Sequence, residues 1–132
     1  NYSKKINFIL GDSQKELKYV CEKIKEPAVF YLDGHFSADW NGVTTGKSDN
    51  TDVPLYEELK IMNDNFKHKA IVICDDLRLF GDKFKHGDWT HITKDGVKKM
   101  VKDRLINSFG NSVPDDSPWG MDSLILELKE ID

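Results

Sequence analysis

Two short apolar runs that end in carboxylates constrain the fold of this chain more than any other feature. Residues 28–32 (AVFYL) lead into Asp33, and residues 70–74 (AIVIC) lead into Asp75 and Asp76. Continuous apolar runs of this length are typical of strands that are buried on both faces of a parallel sheet. Ligands of open α/β sheets bind at the carboxyl ends of the strands. The two strand exits are therefore the predicted site.

Length and charge limit the classes of protein to which the chain can belong. Its 132 residues fit one domain with an ordinary core. The net charge of −4 combines 19 basic and 23 acidic residues, whereas nucleic-acid grooves and anionic membrane surfaces usually need a basic excess. No segment approaches the roughly 18 apolar residues of a membrane span. We therefore expect a cytoplasmic protein that binds neither nucleic acid nor membranes.

The cysteine pattern predicts free thiols. Cys21 lies on an apolar helical face and Cys74 ends a buried apolar run. Two cysteines without metal-type spacing are more often core residues than a disulfide or a zinc site.

The spacing of apolar residues and turn signals predicts alternating strands and helices. Strands are expected at residues 6–10, 28–32, 70–74 and 123–128. With a helix in each interval, this order favours one α/β domain over residues 1–132, with a mainly parallel sheet and helices on both faces.

Local signals place the helices in these intervals. Ser13 is expected to cap the first helix through a capping box with Glu16. Two further helices follow from apolar stripes at about 54–63 and 94–108, and Thr93 is expected to cap the second of these.

Three carboxylates are expected to converge at the strand exits. Asp33, Asp75 and Asp76 follow two strands that are predicted neighbours. Like charges placed this close repel and raise at least one pKa unless a cation neutralises them. A hard divalent ion such as Mg²⁺ fits such a set. The alternative is that Asp33 and Asp76 cap turns and Asp75 is solvated.

Other polar residues near the exits have open roles. His35 is a candidate general base, a candidate metal ligand or a polar loop residue. Arg78 either binds a substrate anion or pairs with one of the aspartates. Either one of the two residues Glu57 and Glu58 faces the site, or both lie on a solvated helix face.

The strand exits resemble part of a known family. Phe-Tyr-Leu-Asp33-Gly-His35, followed by a helix and by Ile-Val-Ile-Cys-Asp75-Asp76, is similar to the fourth and fifth strands of class I S-adenosylmethionine-dependent methyltransferases, in particular the metal-dependent O-methyltransferases. The resemblance implies that Asp33, Asp75 and Asp76 hold Mg²⁺. It also implies that the ion orients the hydroxyl of a small acceptor, that His35 or Asp33 accepts the proton, and that loops at 34–52 and 77–93 cover the acceptor.

The resemblance also assigns the S-adenosylmethionine site in part. Gly11, Asp12 and Ser13 resemble the turn after strand three that contacts the adenine, and Asp33 lies beside it. The glycine-rich turn after strand one and the acid that ends strand two have no counterpart. Since the family's sheet order is 3-2-1-4-5-7-6, the resemblance implies a truncated Rossmann-like sheet that lacks the first two strands. Such a sheet is closed by pairing of 6–10 with 28–32, or completed by another chain or in a homo-oligomer.

Two other classes remain open from the sequence. A metal-dependent phosphoesterase can use the same carboxylates and histidine, although the sequence has no convincing phosphate cradle. A truncated domain can also keep the fold and serve as a non-catalytic interaction module.

Overall fold

Helices and strands alternate along the chain. The computed structural model describes residues 5–37, 45, 51–84, 87–111 and 122–132. Its elements in chain order are α1 (Ser13–Lys23), β1 (Ala28–Leu32), α2 (Leu55–Asn65), β2 (Ala70–Cys74), a 3₁₀ turn (Leu77–Leu79), β3 (Lys83–Phe84), β4 (Gly87–Asp88), α3 (Lys94–Met100), β5 (Leu105–Gly110) and β6 (Leu124–Leu128). The fold is α/β. No helix in these ranges has the length and apolar character needed to cross a membrane.

The main sheet has four strands in the order β1-β2-β6-β5. Strands β1 and β2 are parallel, and β6 is antiparallel to both of its neighbours. The sheet is therefore mixed, although three of its strands run in the same direction. Parallel pairing is confined to β1 and β2, which are joined through α2 as a crossover. Among the described residues β1 pairs with β2 alone, so its other edge is open.

Helices cover one face of the sheet. The buried side chains of β1, β2 and β6 alternate with more exposed ones, as in Phe30 and Leu32 against Val29 and Tyr31. One apolar core contains these buried strand residues together with Cys21 of α1, residues of α2 and residues of α3. The prediction of two buried faces is therefore wrong for the described part of the chain, because α1, α2 and α3 pack on the same side.

The predicted first strand at 6–10 is wrong. These residues have no strand conformation and all are exposed, with Phe8 91% exposed. A β-strand needs a hydrogen-bonded neighbour, and the expected pairing of 6–10 with β1 does not form. The β-forming residues of this segment therefore remain without a ladder.

The helix limits differ from the predictions in two places. Asp12, and not Ser13, is the N-cap of α1, because its carboxylate accepts a hydrogen bond of 3.0 Å from the backbone N–H of Gln14. Thr93 caps α3 as predicted. That helix ends at Met100, and β5 occupies residues that were predicted to continue it.

Two further predictions concern loops and thiols. Residues 77–93 contain the 3₁₀ turn and the small β3-β4 hairpin, whereas most of 34–52 lies outside the described residues. Cys21 and Cys74 are buried free thiols, so that prediction is confirmed.

Candidate functional site

The carboxyl ends of β1 and β2 lie side by side. Leu32 is paired with Cys74 in the parallel register, and the backbone N–H of Asp75 donates to the carbonyl of Leu32 at 3.1 Å. Both strand exits therefore open at the same edge of the sheet. This arrangement places Asp33, Asp75 and Asp76 at neighbouring positions.

Three of the residues at this edge bring their ligand atoms together. One nitrogen of His35 and one oxygen each of Asp33 and Asp76 lie within 4.8 Å of one another. His35 Nδ1 is 3.4 Å from Asp33 Oδ1 and 3.3 Å from Asp76 Oδ2. Within the described part of the chain, this buried nitrogen has no hydrogen bond of good geometry. We call this group the Asp33–His35–Asp76 cluster.

Asp76 is held from its backbone and from both carboxylate oxygens. Its φ of 57° and ψ of 35° are left-handed, a conformation that costs a residue other than glycine about 1–2 kcal/mol. Asp76 Oδ1 pairs with Arg78 Nη2 at 2.7 Å, and Arg78 also pairs with Asp122. The prediction that Arg78 pairs with one of the aspartates is therefore confirmed. The turn directs Asp76 Oδ2 at His35.

Asp75 has a different environment from its neighbour. The Tyr31 hydroxyl donates to Asp75 Oδ2, and the Ser123 hydroxyl donates to Asp75 Oδ1 at 3.1 Å. The hydrogen bond to Asp75 raises the pKa of Tyr31 to about 12. Both oxygens of Asp75 thus accept hydrogen bonds from side chains. The third residue that places a ligand atom beside those of Asp33 and Asp76 is His35.

Burial and like charges disfavour the ionised carboxylates of this site. The pKa of Asp33 is raised mainly by burial and further by Asp75 and Asp76, while His35 lowers it. The pKa of Asp76 is also raised mainly by burial, against the lowering effects of His35 and Arg78. A bound cation would favour the ionised forms. The cluster therefore carries negative charge that the described residues do not fully offset.

The donor set fits a divalent cation. Two carboxylates with open solvent positions suit Mg²⁺, which keeps several waters, and the addition of an imidazole suits Mn²⁺ or other transition metals better. The orphaned Nδ1 of His35 between two carboxylate oxygens is the observation that supports this fit.

The space beneath the cluster is too small for a substrate. A cavity of about 10 Å³, the space of roughly one water molecule, is lined by Asp33, His35, Glu58 and Trp89 among others. The Trp89 ring lies edge-on to His35 with 5.1 Å between ring centroids, and its buried Nε1 has no hydrogen-bond partner among the described residues. Since Asp33 is exposed on its other side, an acceptor would approach from solvent.

The residues expected to contact the cofactor lie at the start of α1. Asp12 is its N-cap, and the Ser13 hydroxyl donates a hydrogen bond to the Glu58 carboxylate. Gly11 packs against Glu16, because a Cβ on Gly11 would lie 2.6 Å from Glu16 Cγ. The turn at residues 11–13 therefore contacts both α1 and α2.

Two residues beside the cluster are not assigned to the site by the sequence. The sequence leaves Glu58 open between a residue that faces the site and a solvated helix face, and Glu58 is 3% exposed, whereas Glu57 is exposed. The signal was its position, since Glu58 follows Leu55 by three residues and precedes Met62 by four and so shares their buried stripe. Trp89 had no such signal, because it lies in a loop that only the tertiary fold places beside His35.

Comparison with protein-family models, with curated proteins and with solved structures finds no match to this chain.

Proposed function

We propose that this chain is the C-terminal part of a cation-assisted, S-adenosylmethionine-dependent O-methyltransferase domain. The observation that carries the proposal is the strand order. With β1 as strand four and β2 as strand five, the order β1-β2-β6-β5 corresponds to the end of the methyltransferase order 3-2-1-4-5-7-6. This correspondence includes β5 and β6, whereas the resemblance at the strand exits concerns only β1 and β2.

The charge at the strand exits supports the cation. Exposed Asp33 and buried Asp76 each offer an oxygen ligand at the sheet edge, and His35 lies between them. In the proposed site, a divalent cation would be held by Asp33 and Asp76, and Asp75 would join them only by giving up a hydrogen bond from Tyr31 or Ser123.

The proposed chemistry follows from this arrangement. A cation held there would lower the pKa of an acceptor hydroxyl, and S-adenosylmethionine would supply a methyl group on a positively charged sulfur. His35 or Asp33 would take the hydroxyl proton as the new C–O bond forms and the S–C bond breaks, which would leave a neutral thioether.

Cation binding is the first test. Isothermal titration calorimetry with Mg²⁺ and with Mn²⁺ should give one site in the native chain, and Asp33→Asn or Asp76→Asn should weaken it at least about tenfold. Glu57→Gln is the matched control, because Glu57 is an exposed carboxylate on α2. A native chain that binds neither ion would overturn the cation-assisted mechanism.

The reaction class is the second test. With the cofactor-binding part of the domain supplied, transfer of labelled methyl from S-adenosylmethionine to a catechol-type acceptor should require the divalent ion and be lost in Asp33→Asn. Hydrolysis of p-nitrophenyl phosphate with Mn²⁺ and without S-adenosylmethionine would instead favour a phosphoesterase. Ion binding with no methyl transfer in the completed domain would favour a non-catalytic module.

A further inference from the structure

The buried carboxylate of Glu58 contacts two parts of the proposed site. Glu58 lies on α2, and its carboxylate accepts a hydrogen bond from the Ser13 hydroxyl at the start of α1. It also lines the small cavity beneath Asp33 and His35. Glu58 therefore contacts both the turn proposed for the cofactor and the loop that carries the cluster.

The contact between Glu58 and the loop is made at Gly34. A Cβ on Gly34 would lie 2.8 Å from Glu58 Oε1 and 3.4 Å from Ser13 Oγ. A side chain at this position would therefore displace the Glu58 carboxylate. Since Gly34 separates Asp33 from His35, its position fixes the distance between these two residues.

An acid at this position costs the folded state stability. Burial is the main cause of the raised pKa of Glu58, and the carboxylates of Asp12, Glu57 and Asp33 raise it further, while the Ser13 hydrogen bond lowers it. A buried carboxylate surrounded by acids is less favourable than an apolar side chain of similar volume. Stability alone would therefore favour leucine or methionine within this stripe of α2.

We propose that Glu58 is a positioning residue of the cation site: it fixes the Gly34 turn, and through Ser13 it links that turn to α1. The role rests on the proposed function, since it concerns the spacing of the proposed cation ligands. Glu58 is not a member of the Asp33–His35–Asp76 cluster. It acts through the backbone between Asp33 and His35.

Mn²⁺ binding measured by titration calorimetry tests this role from both sides of the contact. Glu58→Ala should weaken Mn²⁺ binding on the order of 10–100-fold, the usual effect of removing a residue that supports metal ligands. Glu58→Gln keeps the shape and an acceptor for Ser13, so it should restore binding to within about threefold. Gly34→Ala should weaken binding because its Cβ would collide with Glu58 Oε1.

The double variant Glu58→Ala/Gly34→Ala makes the test specific. Because the Glu58 truncation removes the atom with which the new methyl collides, the combined loss should be clearly smaller than the product of the single losses. Glu57→Ala, one residue away and exposed, is the control and should bind as the native chain does.

Each outcome has a defined meaning. A native chain that binds Mn²⁺ and a Glu58→Ala variant that binds it equally well would overturn the positioning role and leave the cation site intact. Glu58→Gln as weak as Glu58→Ala would also overturn it, because charge and not shape would then matter. If Glu58→Ala fails to fold, full affinity in Gly34→Ala still overturns the proposal. A native chain that binds no Mn²⁺ overturns both proposals.

Discussion

His35 Nδ1 lies 3.3 Å from Asp76 Oδ2, which connects the loop after β1 to the turn after β2. The contact depends on the parallel register of the two strands and on the left-handed backbone of Asp76. Arg78 holds the other oxygen of Asp76. The geometry of the cluster therefore depends on the sheet and on an ion pair.

Replacing Asp33 should stabilise the metal-free protein at neutral pH. The pKa of Asp33 is raised in the folded state, so the folded state binds this proton more tightly than the unfolded chain does. The ionised carboxylate therefore costs stability above its folded-state pKa, and this cost disappears as the pH falls below the unfolded value of 3.8. Because the group is half exposed, we expect Asp33→Asn to raise Tm in EDTA at pH 7 by roughly 1–3 °C.

Thermal unfolding followed by circular dichroism measures this difference. The gain should vanish near pH 3, and added Mn²⁺ should stabilise the native chain but not the variant. Glu57→Gln should leave Tm unchanged at both pH values. A lower Tm for Asp33→Asn at pH 7 would show that attraction by His35 outweighs burial.

Local signals predicted the elements that depend on local interactions. Strands β1 and β2 and the Thr93 cap follow from apolar runs and a side-chain cap. The edge of the sheet that carries the acidic residues follows from the parallel pairing of β1 with β2.

Features that depend on distant partners could not be predicted from the sequence. Residues 6–10 have strand-forming side chains but no ladder. The hydrogen bonds that Tyr31 and Ser123 donate to the two oxygens of Asp75 come from residues distant in the sequence. The spacing of residues in the sequence does not show which side chains donate hydrogen bonds to Asp75.

The N-cap of α1 can be tested by stability. Asp12→Ala should lower the free energy of unfolding by about 1 kcal/mol, because the N–H of Gln14 would lose its acceptor. Asp12→Ser should keep most of the stability, since serine is also a good cap. Urea unfolding followed by circular dichroism gives both values. An Asp12→Ala variant as stable as the native chain would show that another residue caps the helix.

Arg104 should be among the residues most important for stability. It is 1% exposed, and its guanidinium donates to the carbonyls of Phe66, His68 and Lys129. Lysine cannot reproduce this planar set of donors, so Arg104→Lys should lower the free energy of unfolding by about 2–3 kcal/mol. Urea unfolding checks the value.

The control for Arg104 is its exposed neighbour Lys102. Lys102→Ala should change the free energy of unfolding by less than about 0.5 kcal/mol. A similar small change in Arg104→Lys would mean that water replaces the lost donors.

The two thiols should be unreactive in the folded protein. Burial raises the pKa of Cys21 to about 11 and that of Cys74 to about 12, and the thiolate is the reactive form. At pH 8 a disulfide reagent such as dithionitrobenzoate should therefore modify neither cysteine in the native chain and both in denaturant. Rapid labelling of one thiol in the native chain would show local opening around α1 or β2.

The sheet face that no helix covers in the described part of the chain should cause self-association. Val29 (66% exposed), Tyr31 and Phe109 are exposed on the face opposite the helices, and Ile106 is exposed on the groove beside Val29. This groove of about 330 Å³ also involves Ile71. Exposed apolar patches of this kind mark association surfaces.

We expect the sedimentation coefficient of the native chain to rise with concentration. The double variant Val29→Lys/Ile106→Lys should remain monomeric, because two charges would have to be desolvated in the contact. Tyr19→Lys adds a charge at an exposed residue of α1 and should associate as the native chain does. A native chain that stays monomeric at about 100 μM, or a double lysine variant that associates equally, would contradict association through this face.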